Sequence, residues 1–111
     1  MNYNNSIKIA EIRIEDKEYE VRMTEHSALR MIDRGIDKFV VTGSIIALGK
    51  RINQIEENGY DEGIVIDKPH NVAVIFAIFK DKYTRKSIVK IITVINRANV
   101  FVKENTKIFN V

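Results

Sequence analysis

Three consecutive stretches decide the fold: Val72-Ala-Val-Ile-Phe-Ala-Ile-Phe79, the polar run Lys80-Asp-Lys-Tyr-Thr-Arg-Lys86, and Ile88-Val-Lys-Ile-Ile-Thr-Val-Ile95. The first is apolar at both phases of a two-residue period and is bounded by polar residues, the pattern of a central strand buried on both faces. The third is rich in Ile and Val, which suit a pleated surface, so it is expected to be the antiparallel partner, with the polar run as the loop between them.

Working outward from this pair, Pro69-His70 marks the preceding turn. Further upstream, Asn58-Gly59 is a strong hairpin signal and predicts strands near 52–57 and 60–67. At the N-terminus, Ile7 to Ile14, a turn at Glu15-Asp-Lys17, and Tyr19, Val21 and Met23 alternating with Glu18, Glu20 and Arg22 predict another hairpin, its second strand buried on one face. Ile7 and Ile9 are out of phase with Ile12 and Ile14, so a bulge is expected at Ala10-Glu11, or a strand that changes face there. Val100-Phe-Val102 and Ile108-Phe109 suggest one or two edge strands.

Between the hairpin and the later strands the period changes to helical. Thr24 suits an N-cap and Glu25 the first turn of a helix running to about Arg34, which Gly35 ends. Ala28, Leu29, Met31 and Ile32 form its expected core stripe. Asp37 caps a second helix, with Ile36 and Val41 spaced as a hydrophobic staple and Gly49 as its end. That helix carries Phe39, Val40, Val41, Ile45, Ile46 and Leu48 and is expected to be well buried. The fold class is therefore α+β: a hairpin, then two helices in the N-terminal half, packed on an antiparallel sheet.

With 111 residues, 45% of them hydrophobic and 30% charged, the chain reads as one domain, 1–111, with no repeat or linker. The absence of cysteine excludes disulfides, thiolate metal sites and thiol nucleophiles. Neither His26 nor His70 has metal-ligand spacing, so no metal and no cofactor are expected; His70, beside Pro69, reads as an exposed turn residue. Gly43 and Gly49-Lys50 do not form a P-loop, because the glycines are one residue too far apart and Arg51 stands where Ser or Thr belongs. No apolar run approaches the ~20 residues of a membrane span and no signal peptide is evident, so cytoplasmic residence is expected. The oligomeric state is left open.

On the first helix His26, Arg30 and Arg34 recur at i, i+4 and i+8, which puts an imidazole and two guanidiniums on one face. A histidine that titrates near neutrality can move a proton, and two arginines can hold a phosphate and the charge of its transition state. On pattern alone, a solvated face opposite an apolar stripe is the commoner origin of such a row. A second basic group, Lys80, Lys82, Arg85, Lys86 and Lys90 with Tyr83 among them, suits RNA binding; a solvated loop tip is the alternative. Glu56, Glu57, Asp61 and Glu62 make the Asn58-Gly59 turn acidic and unsuited to phosphate. The net charge of +3 permits a nucleic-acid partner without requiring one.

The run His26-Ser-Ala-Leu-Arg30-Met31-Ile-Asp-Arg34-Gly35-Ile36, with a second helix, strands and a late Ile-Ile-Thr93-Val, resembles a family of small uncharacterised bacterial and phage domains sharing His-x3-Arg-Met-x2-Arg-Gly-Ile. That family is grouped with the ribonuclease toxins of barnase, EndoU, colicin and RelE type (BECR). The resemblance spans roughly Met23 to Ile95 and leaves out the N-terminal hairpin and the tail. It implies helices on a curved antiparallel sheet and metal-independent RNA cleavage, in which the ribose 2′-hydroxyl attacks the phosphodiester. Within it His26 would be general base or acid, Arg30 and Arg34 would bind the scissile phosphate, and Thr93 would position it. The second proton-transfer group is left open among Tyr83, Lys80 and Lys90, and Thr93 also reads simply as a strand residue. RNA and a cognate inhibitor, an antitoxin or immunity protein, are the implied partners. The alternative is a non-catalytic RNA-binding or protein-interaction module of phage or mobile-element origin.

Overall fold

Alternation sets the first hairpin: Tyr19, Val21 and Met23 are buried and their neighbours lie at or near the surface, so one face of the strand is inside. We describe residues 6–57, 62–100 and 106–111 of a computed structural model. Strand β1 (Ser6–Ile14) pairs antiparallel with β2 (Lys17–Thr24), and helices α1 (Glu25–Asp33) and α2 (Lys38–Ile46) follow. A short 3-10 turn (Gly49–Ile52) leads into α3 (Asn53–Glu57), followed by β3 (Glu62–Asp67), β4 (Val72–Lys80), β5 (Ser87–Ile95) and β6 (Lys107–Asn110). The class is α+β, with a six-stranded sheet in the order β1-β2-β5-β4-β3-β6.

The sheet is mixed, which corrects the antiparallel expectation: β2 runs parallel to β5, and β3 to β6, while the other neighbours are antiparallel. The reason is chain path. The connection from β2 carries all the helices and both strands β3 and β4 before β5 returns beside β2, and nothing in local periodicity reports that direction. As expected, β4 is a central strand and β5 is its antiparallel neighbour; the two are the middle pair of the sheet.

The bulge of β1 lies at Ile9, between the Lys8–Arg22 and Ala10–Val21 pairs, one residue before the expected position. The extra residue rephases the strand, so that Ile12 and Ile14 join Tyr19, Val21 and Met23 in the core. A second bulge, at Ile92 of β5, lies between the Phe76–Ile91 and Ile75–Thr93 pairs.

Both helix starts are capped as expected: Ser27 N–H donates to Thr24 Oγ1 at 3.1 Å and Phe39 N–H to an Asp37 carboxylate oxygen at 2.7 Å. Gly35, at φ +68°, closes α1 with paired bonds from Gly35 N–H to the Ile32 carbonyl and from Ile36 N–H to the Met31 carbonyl, and the buried Met31 and Ile36 complete this terminus.

The expected core stripe of α1 is corrected. Met31 is buried and Ala28 packs against the core, but Leu29 and Ile32 are 55% and 68% exposed. Helix α2 is only partly buried: Val41 and Ile45 lie in the core while Phe39 is 74% exposed.

The strand expected near 52–57 is helical. Leu48, Ile52 and Ile55 recur at helical spacing and all three are buried, so tertiary contacts favour the tight turn and α3 over an extended segment. The Asn58-Gly59 turn lies outside the described residues. Of the tail, Ile108-Phe109 forms β6, whereas Phe101 and Val102 lie outside the described residues. Among the described residues, no helix is long and apolar enough to cross a membrane.

Candidate functional site on α1 and β5

Strand β2 meets β5 only as far as Met23, which pairs with Ile91, and then turns into α1. Past Ile91 the edge of β5 has no strand beside it among the described residues, and α1 supplies donors to its carbonyls instead. Ser27 Oγ donates to the Ile92 carbonyl at 3.1 Å, and the Arg34 guanidinium donates through Nη1 to the Val94 carbonyl. One residue near each end of α1 thus ties the helix to β5 at the bulge.

That docking sets the direction of every other side chain on the helix. At ~100° per residue, Arg34 lies within about 20° of Ser27, Met31 and Ala28 lie about 40° and 100° to one side, and Arg30 and His26 about 60° and 100° to the other. Met31 and Ala28 reach the core on the inner, helix-bearing side of the sheet. Arg30 and His26 therefore occupy the opposite flank, toward the outer side.

The bulge at Ile92 decides what β5 shows on that outer side. Ile91 and Val94 belong to the inner core and pair with the inward Phe76 and Val74, so Thr93, paired with Ile75, lies on the outer face. Lys90 pairs with Ala77 and Arg22 and lies on the same outer face. In regular alternation Lys90 and Thr93, three residues apart, would point to opposite faces; the extra residue puts them on one.

The side chains divide into engaged and free ones. His26 and Arg30 are exposed, and Lys90 is half-buried; none has a hydrogen-bond or ion-pair partner among the described residues. Arg22, beside Lys90, is held by Ser6 through its hydroxyl at 2.9 Å and its carbonyl at 2.7 Å, and by Glu20 at 2.8 Å. The Arg34 guanidinium is bonded to backbone through Nη1 and ties α1 in place.

The basic loop lies elsewhere. Lys80, Lys82, Tyr83, Arg85 and Lys86 stand at the start of β5, where Ser87 pairs with Tyr19, and so at the opposite end of the strand from Thr93. The structure does not gather these five with His26, whereas it puts Lys90, grouped with them by sequence, on the face of Thr93. No sequence signal marks the Ile92 bulge that achieves this, although the run Ile91-Ile-Thr-Val-Ile95, apolar but for Thr93, is compatible with it. His70 sits in the β3–β4 turn, more than half exposed as expected, but its Nδ1 lies 2.8 Å from the buried Asp67 carboxylate, a pairing with no sequence signature. Among the described residues no cluster of His, Asp and Glu is arranged to hold a metal.

No family model, curated protein or solved structure matches the chain.

Proposed function

We propose that the chain is a metal-independent ribonuclease of BECR-like, toxin type, with its centre where α1 meets β5. The observation that carries this reading is the shared side of the sheet: the docking of α1 turns His26 and Arg30 toward the face on which the Ile92 bulge presents Thr93 and Lys90. These groups supply what transfer to a 2′-hydroxyl requires.

In the reaction a base takes the proton of the ribose 2′-hydroxyl, whose oxygen forms a bond to phosphorus while the bond to the 5′-oxygen breaks. The leaving oxygen takes up a proton and a 2′,3′-cyclic phosphate remains. His26 is the proton-transfer group in this scheme. Arg30 and Lys90 hold the non-bridging oxygens as charge builds on them, and Thr93 donates a hydroxyl hydrogen bond to the phosphate. Of the three candidates for the second proton transfer, Lys90 is assigned to the leaving oxygen, because it shares the face of Thr93 while Tyr83 and Lys80 stand at the far end of β5. Arg34 acts by positioning α1.

The test is incubation of the purified chain with single-stranded RNA in excess chelator and analysis of the product ends. Cyclic phosphates are expected, and His26→Ala should lower the rate about 100-fold or more with no change in the unfolding curve, because the side chain is exposed. Undiminished cleavage by that variant, or no cleavage by the parent chain, would overturn the proposal.

A protein-interaction role is the second reading, and exposed Leu29, Ile32 and Phe39 favour it.

A further inference from the structure

The loop between β4 and β5 is built around one carboxylate. Asp81 is buried and accepts from Tyr83 N–H at 3.4 Å, Thr84 N–H at 3.3 Å and Thr84 Oγ1 at 2.6 Å. Its backbone N–H donates to the Lys86 carbonyl at 2.9 Å, its carbonyl accepts from Arg85 N–H at 2.9 Å, and Arg85 takes the left-handed conformation at φ +64°. These bonds engage the only acid of the loop, and Lys80, Lys82, Arg85 and Lys86 are exposed. At its tip Tyr83 is 95% exposed, an aromatic ring held by an ordered turn yet packed on nothing.

Behind the loop, a cleft of about 460 Å³ separates it from the β1–β2 hairpin. Three carboxylates line this cleft, and each is already bonded to a cation. Glu11 meets Lys8 at 2.6 Å, a bond that lowers its pKa; Glu18 meets Arg13 at 2.8 Å; Glu20 meets Arg22 at 2.8 Å and Lys86 at 3.8 Å. Lys80, Lys82 and Arg85 have no ion-pair partner among the described residues. The surface therefore combines cations without an ion-pair partner among the described residues, a hydrogen-bonded turn, a cleft and a projecting ring, which is the combination that holds a phosphate backbone while a base stacks beside it.

We infer that the β4–β5 loop and the cleft behind it bind single-stranded RNA, phosphates on Lys80, Lys82 and Arg85 and an unpaired base on Tyr83. A duplex keeps its bases stacked on one another and leaves none for the ring, so the strand is single. That it is RNA rests on the cleavage reading above. Along β5 the loop lies roughly 15–20 Å from Thr93 at the usual strand rise, so a strand held at both places spans several nucleotides.

Binding is measured by fluorescence polarisation of a short, unstructured, labelled RNA, with the His26→Ala chain as the non-cleaving background. The double variant Lys82→Glu/Arg85→Glu should weaken binding at least tenfold. It should also reduce the slope of log affinity against log salt by about 1.4, two phosphate contacts at ~0.7 each. Tyr83→Ala should weaken it about fivefold or more, with Tyr83→Phe restoring most of the loss. Equal affinity in the charge variant, indifference to Tyr83→Ala, or preference for duplex RNA would each overturn the inference. Should the double variant fail to fold, judged by circular dichroism, the fully exposed Tyr83 pair decides alone. Because the assay reads no cleavage, a chain that binds through the loop and cleaves nothing would sink the nuclease proposal and leave this one standing. A chain that cleaves RNA but binds it independently of the loop would do the reverse.

Discussion

Arg34 shows how a side chain's role follows from what it meets. By composition it is one more guanidinium, but it donates to the Val94 carbonyl on an edge that no strand of the described residues covers. A charged donor on a backbone acceptor at a partly exposed site contributes about 1 kcal/mol, so Arg34→Ala should lower stability by that amount in urea unfolding. Faster amide exchange in the last turn of α1 should accompany it, and Arg34→Lys should recover part of both. Gly63 is a second case. A Cβ there would lie 2.9 Å from Ile55 Cδ1, 3.1 Å from Phe76 Cζ and 3.3 Å from Phe109 Cε2, so this strand glycine is required by packing between α3 and the sheet. Gly63→Ala should cost about 1–3 kcal/mol through overpacking, visible as a lower denaturation midpoint with an unchanged slope.

Of the nine residues of α1 only Met31 is buried, with Ala28 packed against the core. The helix lies along an edge of the sheet, so only a narrow strip around Met31 and Ala28 is covered, and an apolar stripe that looked wide in sequence is half exposed. Met31→Ala should therefore cost about 2–5 kcal/mol, whereas Leu29→Gln and Ile32→Gln should stay within about 0.5 kcal/mol of the parent by thermal unfolding. A large loss at Leu29 would mean that α1 is rotated from the orientation that turns His26 outward, and would weaken the site with it. The cap residues Thr24 and Asp37 and the stop at Gly35 were legible because capping is local chemistry. The helix over 53–57 was not, because Asn58-Gly59 competes as a turn signal and the burial of Ile52 and Ile55 is a contact with distant residues.

At the scale of the whole molecule, the last strand closes the fold on the far side. Strand β6 lies parallel to β3, and Phe109 enters the core beside Phe76, ring centroids 6.5 Å apart. Phe109→Ala should cost about 3–5 kcal/mol, a large share of the 5–15 kcal/mol typical of a domain, while Ile108→Ala, half exposed at the edge, should cost under about 1 kcal/mol; chemical denaturation distinguishes the two. The central position of β4, its antiparallel pairing with β5, the N-terminal hairpin and its bulge, and both helix starts are consequences of periodicity and capping, which act over a few residues and can be read along the chain. The parallel pairing of β2 with β5 and the docking of α1 on the edge of β5 depend on residues sixty or more positions apart, and the register shift that puts Lys90 and Thr93 on one face depends on how β5 pairs with β4. Only the folded chain sets these, because long-range pairing is chosen by the total burial and hydrogen bonding of the molecule and leaves no local pattern behind.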